Sequence, residues 1–341
     1  MPDVNKQDLE LHIKLDADWL EKLPRDVSPR QYIRGKREEQ KFILMLYPDA
    51  NQGNREELRS FIKIGKDLSC NGIKTPQVYE FEEDKCYAIL EDLGKISFGE
   101  CLKKTIIDKE EAYRLATDVL IRMRDVDVSK NLPTYKNSRI YENRRQLIDY
   151  YMHLKRGSKP NEDTVQDFLS VWNEIENNLP PCPQGFLHGD YHLENLMYQE
   201  KAQGLDRCAV IDFQDAISGP LPYDLVNLLE DARIDVPNEI QDAMIERYCK
   251  NMEKQEKENF LIWFRVLAAQ FHGRVLGLFI KLAVEQNRDS YLIHIPRLQR
   301  YMIKSLEHPV LEPLKNWFKK EGLDFRAISD LDGNYIREIF K

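Results

Sequence analysis

The sequence predicts an α+β fold of two lobes: a small β-rich N-terminal lobe with one helix, and a larger, mainly helical C-terminal lobe with a β-hairpin. Its 341 residues exceed the length at which one hydrophobic core usually keeps growing. Strand-like patterns lie before residue 95, whereas helical periodicity dominates from Glu110 onward. We therefore place the lobes at residues 1–92 and 93–341, with a hinge near residues 92–95.

The elements predicted for the N-terminal lobe form a small sheet and one helix. RQYIRG (30–35) and KFILMLY (41–47) are rich in β-branched and aromatic residues and flank a polar turn. The stretch 54–72 has apolar side chains at helical spacing and ends at Gly72, a typical helix stop. Two further strands are predicted within residues 76–94, on either side of an acidic turn.

The C-terminal lobe is predicted to consist of helices interrupted by one hairpin. The hairpin spans residues 196–213, where LMY and CAVIDF are strand-like and a polar loop joins them. Asn161, which precedes two acidic residues, is a favourable helix start. Helices are predicted close to residues 110–126, 141–156, 162–178, 223–234, 238–253 and 256–285, with shorter ones after Ile295.

Charge and hydropathy argue against several classes of protein. Lys and Arg number 50 against 58 Asp and Glu, which gives a net charge of −8 without a basic stretch suited to a nucleic acid. The longest apolar run, Phe42 to Tyr47, is far shorter than the ~20 residues of a membrane helix. We expect a cytoplasmic protein that binds a small molecule and neither nucleic acid nor membrane; the sequence does not indicate its oligomeric state.

Three residues predict a phosphoryl-transfer site. FLHGDYHLENLMY places Asp190 and Asn195 five positions apart, and AVIDFQDA places Asp212 seventeen residues beyond Asn195. Transfer from ATP needs a carboxylate to accept the hydroxyl proton, and an Asp and an Asn to hold Mg²⁺ on the phosphates. Protein kinases have the same order and spacing, although here Gly189 replaces their Arg and Gln214 their Gly. The alternative is that all three are turn and strand-end residues without a chemical role.

These motifs also carry a resemblance to a known group of proteins. HGDxxxxN followed by IDFxDA resembles the aminoglycoside phosphotransferase and choline kinase superfamily, which has the protein-kinase-like fold. Within it, the chain is similar to the bacterial anomeric kinases of N-acetylmuramate and N-acetylglucosamine. That narrower similarity rests on residues 26–34, 211–233, 268–282 and 295–298, and it covers nearly the whole chain.

The resemblance implies roles for individual residues. Asp190 would be the catalytic base, and Asn195 and Asp212 the Mg²⁺ ligands, as the residues themselves suggest. Asp224 would brace the catalytic loop, and His188 would order the loop through hydrogen bonds. For His192 we expect an exposed position or a packing role.

The phosphate-binding end departs from the protein-kinase pattern. Met45 stands where those enzymes place a strand lysine, and residues 26–36 contain a single glycine instead of a glycine-rich loop. Arg30 or Arg34 is therefore our candidate for a phosphate contact, the alternative being that both are solvated strand charges. The N-terminal lobe would bind the nucleotide, with adenine contacts from the backbone of Glu91, Asp92 and Leu93.

Four residues are candidates for substrate binding: Asp215, Arg233, Gln270 and Arg274. Asp215 can face the substrate or cap its own segment. Arg233 and Arg274 can pair with the lactyl carboxylate of N-acetylmuramate, because Arg suits bidentate recognition of a carboxylate. The alternative is that they form structural ion pairs with Glu230 or Asp231.

The sequence therefore predicts an ATP- and Mg²⁺-dependent kinase of small molecules. The resemblance implies phosphorylation of the anomeric hydroxyl of N-acetylmuramate or N-acetylglucosamine, and a place in cell-wall sugar recycling. Two alternatives stay open at this point. One is a phosphotransferase of aminoglycosides, choline or ethanolamine, whose site should be lined by carboxylates or an aromatic cage. The other is a non-catalytic, nucleotide-binding pseudokinase, which the missing lysine favours and the retained Asp190, Asn195 and Asp212 oppose.

Overall fold

The computed structural model describes residues 19–23, 30–126, 132–326 and 331–341. Within these residues the chain packs as two compact units. The first unit contains the described residues up to 126 together with 193–216. The second unit contains residues 132–192 and the described residues from 217 onward. The lobe boundary that the sequence suggests near residues 92–95 stays a prediction.

The first unit is built on an antiparallel five-stranded sheet of order β1-β2-β3-β5-β4. Its strands are β1 (Trp19–Lys22), β2 (Gln31–Arg37), β3 (Gln40–Leu46), β4 (Val78–Glu82) and β5 (Tyr87–Glu91). A buried cluster on one face of the sheet explains why these segments pair: it consists of Ile33, Phe42, Leu44, Tyr87 and Ile89. The edge strand β1 was not predicted, because its four residues are half-exposed and lack an apolar pattern.

The helix of the first unit that the sequence predicts is present as α1 (Gln52–Cys70). The side chain of Asn51 caps its start by accepting a hydrogen bond of 2.9 Å from the N–H of Asn54. Gly72 follows its end with a positive φ of 76°, the left-handed conformation typical of a helix stop. Two further helices of this unit are α2 (Phe98–Lys103) and α3 (Lys109–Met123).

The predicted hairpin is confirmed, and it packs with the first unit. Its strands are β7 (Leu196–Tyr198) and β8 (Cys208–Val210). The Val210 N–H donates a 2.8 Å hydrogen bond to the carbonyl of Lys74, which ties the hairpin to the segment before β4. The second strand ends earlier than predicted because Asp212 has a φ of 64° and cannot continue an extended strand.

The second unit is mainly helical. Its α-helices are α4 (Arg139–Glu142), α5 (His153–Arg156), α6 (Glu162–Asn177), α7 (Pro222–Leu229), α8 (Asn238–Cys249), α9 (Lys254–Gln286), α10 (Ile295–Ser305), α11 (Glu312–Lys320) and α12 (Gly333–Ile339). The single helix predicted for 141–156 is instead a series of short helical pieces with a π-helical stretch at Leu147–Met152. That segment lies directly against α9: a Cβ built on Gly277 would stand 2.1 Å from the carbonyl oxygen of Gln146.

Helix α9 is the central helix of the second unit. By length and composition alone it is long and apolar enough to cross a membrane, but 83% of its apolar window is buried inside the structure. Core helices of globular proteins pass the same test because they are apolar on all sides. Its burial therefore agrees with a core helix.

A second sheet, which the sequence pattern does not predict, supports the loop that carries the first motif. It pairs β6 (Gln184–Leu187) with β9 (Ile217–Pro220). Both strands contain Gly or Pro, residues that are depleted in strands and hide the pattern. Gly219 is required here, because a Cβ at this position would lie 2.7 Å from the Cβ atom of Tyr135. Helix α7 also ends at Leu229, five residues before the predicted end at 234.

Candidate active-site residues

The loop after β6 in the second unit is held by a buried aspartate. Asp224, in the first turn of α7, is 2% exposed. Its two carboxylate oxygens accept hydrogen bonds from the backbone N–H groups of His188, at 2.6 Å, and Gly189, at 2.9 Å. Gly189 has a φ of 88°, a conformation that glycine adopts without strain. An aspartate that braces the loop, the role suggested for Asp224, needs this geometry.

Burial also changes the acidity of Asp224. Desolvation raises its pKa to about 6, although the charge of His188 and the two backbone N–H donors lower it in part. Asp224 is therefore ionised at neutral pH and takes up a proton in mildly acidic solution.

Asp190 lies two residues after His188 and is paired with a second histidine. The Nε2 atom of His192 is 3.3 Å from a carboxylate oxygen of Asp190. His192 is buried, whereas the Asp190 side chain remains 56% accessible to water. His192 therefore contacts the predicted base directly, instead of the exposed position or simple packing role that we expected.

The pairing favours the charged forms of both side chains. Desolvation raises the pKa of Asp190, but His192, Arg233 and His188 outweigh it, and the pKa lies well below its ordinary value. For His192, burial lowers the pKa, but the adjacent carboxylate more than offsets this and raises it overall. Asp190 therefore stays ionised throughout the neutral and mildly acidic range.

The two candidate arginines of the second unit differ in their partners. Arg233 donates to Asp231 at 3.1 Å, as the structural alternative predicted. Arg274 has no such pair: its Nη2 donates to the hydroxyl of Tyr223 at 3.3 Å, and its guanidinium carbon lies 5.6 Å from the ring centre of Phe271. Glu230, the other proposed acceptor, instead pairs with Arg265 at 3.1 Å.

Gln270 is engaged within the second unit at both ends of its amide. Its Oε1 accepts a hydrogen bond of 2.8 Å from the hydroxyl of Tyr135, and its Nε2 donates to Glu176 at 2.7 Å. The ring of Tyr135 packs on that of Tyr223 with centroids 5.3 Å apart. Gln270 thus acts within a network that fixes Tyr223 and, through it, Arg274.

In the first unit, Asn195 and Asp212 lie at the same end of the β7–β8 hairpin. The N–H of Ile211 donates to the carbonyl of Asn195 at 3.1 Å, next to the β7–β8 pairing. Asp212 follows directly, with the left-handed φ of 64° and a side chain that is 40% exposed. Left-handed residues other than glycine are uncommon and concentrate at functional positions. Neither its left-handed conformation nor its exposure was evident from the sequence.

Two further side chains fix the Asp212 carboxylate. The Nε2 atom of the buried Gln214 donates at 3.0 Å to both Asp212 and Asp215. An Nη2 atom of Arg30 lies 3.5 Å from Asp212. Gln214 was not among the candidate residues. The feature of the sequence that could have indicated it is that Gln214 stands where protein kinases have a glycine. Asp215 is exposed and shares the Gln214 amide.

Arg34 is held by the segment proposed for adenine binding. Its guanidinium donates to both carboxylate oxygens of Asp92, at 2.8 and 3.0 Å, and to the carbonyl of Gly94 at 2.7 Å. The carbonyl of Leu93 accepts from Gln199 at 2.8 Å, and Glu91 pairs with Lys74 at 2.7 Å. Arg34 is thus held at residues 92–94, whereas Arg30 lies beside Asp212, the predicted Mg²⁺ ligand, so Arg30 becomes the stronger candidate for a phosphate contact.

The donors near the hairpin suit a magnesium ion. In the parts of the chain that the structure describes, no group of three His, Cys, Asp or Glu side chains forms an all-protein metal site. An Asn and an Asp are hard oxygen donors, and Mg²⁺ is commonly bound by one or two protein ligands together with waters and phosphate oxygens. Asn195 and Asp212 fit that chemistry.

The fold and these residues together define the class of protein, an enzyme that transfers a phosphoryl group to an alcohol acceptor. The chain belongs to the phosphotransferase enzyme family (APH), whose sequence model matches residues 19–261. The resemblance to the aminoglycoside phosphotransferase and choline kinase superfamily is thereby confirmed.

Solved structures of this superfamily have the same fold. An ethanolamine kinase of Plasmodium vivax is 14% identical, with a TM-score of 0.59 over 90% of this chain and 88% of that one. An ADP-bound aminoglycoside phosphotransferase is 15% identical, with a TM-score of 0.57 over 87% and 97%. At these identities the similarity concerns the fold alone, and it confirms the predicted protein-kinase-like class.

Several relatives carry a more specific name. The N-acetylmuramate/N-acetylglucosamine kinase of Pseudomonas aeruginosa is 27% identical over 283 residues, which cover 81% of this chain and 80% of the relative. Relatives from Caulobacter vibrioides, Neisseria meningitidis and Pseudomonas putida bear the same name at 23–26% identity.

Proposed function

We propose that this chain is an ATP-dependent kinase that phosphorylates the anomeric hydroxyl of N-acetylmuramate or N-acetylglucosamine. The names of its relatives support an amino sugar as the acceptor. As the resemblance implies, the reaction would belong to cytoplasmic recycling of cell-wall sugars.

The observation that carries the choice of substrate is the charge around Asp190. Arg233, Arg274 and His192 all act on this carboxylate. The nearby carboxylates are already engaged, since Asp231 accepts from Arg233 and Asp224 accepts two backbone N–H groups. Such surroundings disfavour a cationic aminoglycoside or choline and favour a neutral or anionic sugar.

The proposed chemistry assigns one task to each group of residues. Asp190 orients the anomeric hydroxyl and accepts its proton as the oxygen bonds to the γ-phosphorus, while the bond from that phosphorus to the β,γ-bridging oxygen breaks and ADP leaves. A hemiacetal hydroxyl is more acidic than an ordinary alcohol, so the weakly basic Asp190 suffices. Asn195 and Asp212 would hold Mg²⁺, which offsets the charge on the phosphates when bound. Arg30 would contact phosphate, and the backbone of residues 91–93 the adenine.

A substrate panel tests this proposal. The protein is incubated with ATP, Mg²⁺ and each of N-acetylmuramate, N-acetylglucosamine, kanamycin, choline and ethanolamine, and ADP release is followed. We expect turnover of the amino sugars alone, and none of their methyl glycosides, whose anomeric oxygen is blocked. Turnover of kanamycin or choline without a sugar would contradict the sugar assignment. Absence of ADP release with every acceptor would favour the pseudokinase alternative.

The pH dependence of kcat should reflect Asp224. We expect kcat to fall as the pH drops through about 6, because protonated Asp224 loses its hold on the two loop N–H groups. The pKa of Asp224 is raised in the folded protein, so its protonation stabilises the fold and the lost activity does not arise from unfolding. Rates between about pH 5 and about pH 8, with thermal melts at each pH, measure both effects.

The variant His192→Asn separates Asp224 from Asp190 as the source of this fall. Loss of His192 raises the pKa of Asp190 towards its ordinary value, which still lies below that of Asp224. The fall in kcat should therefore occur at the same pH in this variant as in the native protein. If the pH at which kcat falls shifts with the substitution, the fall arises from the Asp190–His192 pair instead of from Asp224.

A further inference from the structure

Arg274, on helix α9 of the second unit, is a half-buried cation that pairs with no carboxylate among the described residues. Its Nε atom is shielded from water and has no hydrogen-bond acceptor there. Its polar contact is the Tyr223 hydroxyl, 3.3 Å from Nη2, and no described carboxylate lies within 4.0 Å. The guanidinium has five N–H donors, so a single contact with a hydroxyl leaves capacity for an anion that reaches Nε.

Other arginines of the second unit show how unusual this is. Arg233, Arg265 and Arg297 each pair with a carboxylate, at 3.1, 3.1 and 2.7 Å. A shielded charge that lacks an opposite partner destabilises a fold. An arginine kept in this state suggests that a ligand supplies the missing anion.

The position of Arg274 suggests that this anion is a group on the acceptor substrate. Asp190 is close enough to Arg274 to favour its charged form, despite the opposing effect of burial on the pKa of Arg274. Tyr223 immediately precedes Asp224, which holds the loop of Asp190. Arg274 thus contacts the neighbour of the residue that holds the Asp190 loop, which would let a second polar group of an acceptor bound at Asp190 reach its guanidinium.

We propose that Arg274, together with the hydroxyl of Tyr223, binds a carboxylate on the sugar substrate, so that the chain selects an acidic amino sugar such as N-acetylmuramate over neutral N-acetylglucosamine. The inference rests on the proposed function and adds the residue that determines specificity. Arg233 is less suited to this task, because Asp231 already accepts from it.

The surrounding network supports a fixed binding geometry. Tyr223 is fully buried, and its ring packs against Tyr135, which Gln270 holds through its side-chain amide. Burial raises the pKa of Tyr223, so its hydroxyl keeps the proton it can donate to a carboxylate. Gln270 is then a positioning residue, and Arg274 the group that touches the substrate.

The test compares kcat/KM for N-acetylmuramate and N-acetylglucosamine in the native protein and in Arg274→Gln. We expect the ratio of the two values to fall by about 10- to 100-fold, as for a lost hydrogen bond between charged groups. Lys281→Gln is the matched control, because it removes a positive charge from the same helix at a side chain paired with Glu285. It should leave the ratio unchanged.

Two further measurements keep the outcome decisive if Arg274→Gln folds poorly. The methyl ester of N-acetylmuramate should be a similarly weaker substrate than the acid for the native protein, since it keeps the bulk and loses the charge. Arg274→Lys should restore part of the ratio. An equal fall for both sugars, or an ester as good as the acid, would overturn the inference but leave the kinase assignment standing. Turnover of neither sugar would instead refute the proposed function.

Discussion

Replacing Asp190 with asparagine is expected to lower kcat by on the order of 10²–10⁴-fold, the usual contribution of a positioned general base. The amide keeps the shape of the side chain but cannot accept the hydroxyl proton. The fold should survive, because the Asp190 side chain is 56% exposed and the loop backbone is held by Asp224. Steady-state rates with N-acetylmuramate measure the loss, and calorimetric titration with ADP checks that nucleotide binding persists.

Asp206→Asn is the matched control for this substitution, since Asp206 is an exposed aspartate in the loop of the β7–β8 hairpin. It should retain the native kcat. If Asp190→Asn also retained it, another group would have to accept the proton, and Asp190 could not be the base.

Replacing Asp212 with asparagine should lower kcat by ~10²-fold or more and raise the Mg²⁺ concentration needed for half-maximal rate, because metal catalysis contributes several kcal/mol. Asparagine is the sharpest choice for this position. It tolerates the left-handed φ of 64°, so the backbone of the hairpin end is kept while the charge is removed. Rates as a function of Mg²⁺ concentration at saturating ATP measure the effect.

Gln214→Ala provides the graded comparison. It leaves the Asp212 carboxylate in place but removes the amide that holds it at 3.0 Å. We expect a smaller rise in the Mg²⁺ requirement than for Asp212→Asn. An Mg²⁺ dependence that Asp212→Asn leaves unchanged would show that Asp212 does not bind the metal.

The parts of the fold predicted from the sequence are those with a clear local pattern. Strands β2 and β3 are rich in β-branched and aromatic residues, helix α1 has apolar side chains at helical spacing, and Gly72 marks the end of α1. The hairpin was found because a polar loop separates two apolar segments. The pair β6 and β9 was missed because its partners lie thirty or so residues apart in sequence, and only tertiary pairing stabilises their Gly- and Pro-containing strands.

The candidate residues show the same limit. The motif spacing identified Asp190, Asn195 and Asp212, whose roles stay proposals, because chemistry needs particular residue types in a fixed order. It could not separate Arg34 from Arg30, because the partners of both lie far away in sequence. It also could not show which of Arg233 and Arg274 pairs with a carboxylate, although Asp231 lies only two residues from Arg233. Arg34 is engaged by Asp92, 58 residues away.

Protein engineers who wish to change the acceptor of this enzyme should leave Gly277 unvaried. Any side chain there would meet the backbone of Gln146 and push α9 away from its neighbour. Arg274 lies one turn earlier on the same helix, so the displacement would carry the guanidinium with it. A mutant library built on this scaffold therefore has its useful diversity in side chains such as Arg274 itself, not in the spacing of the helices.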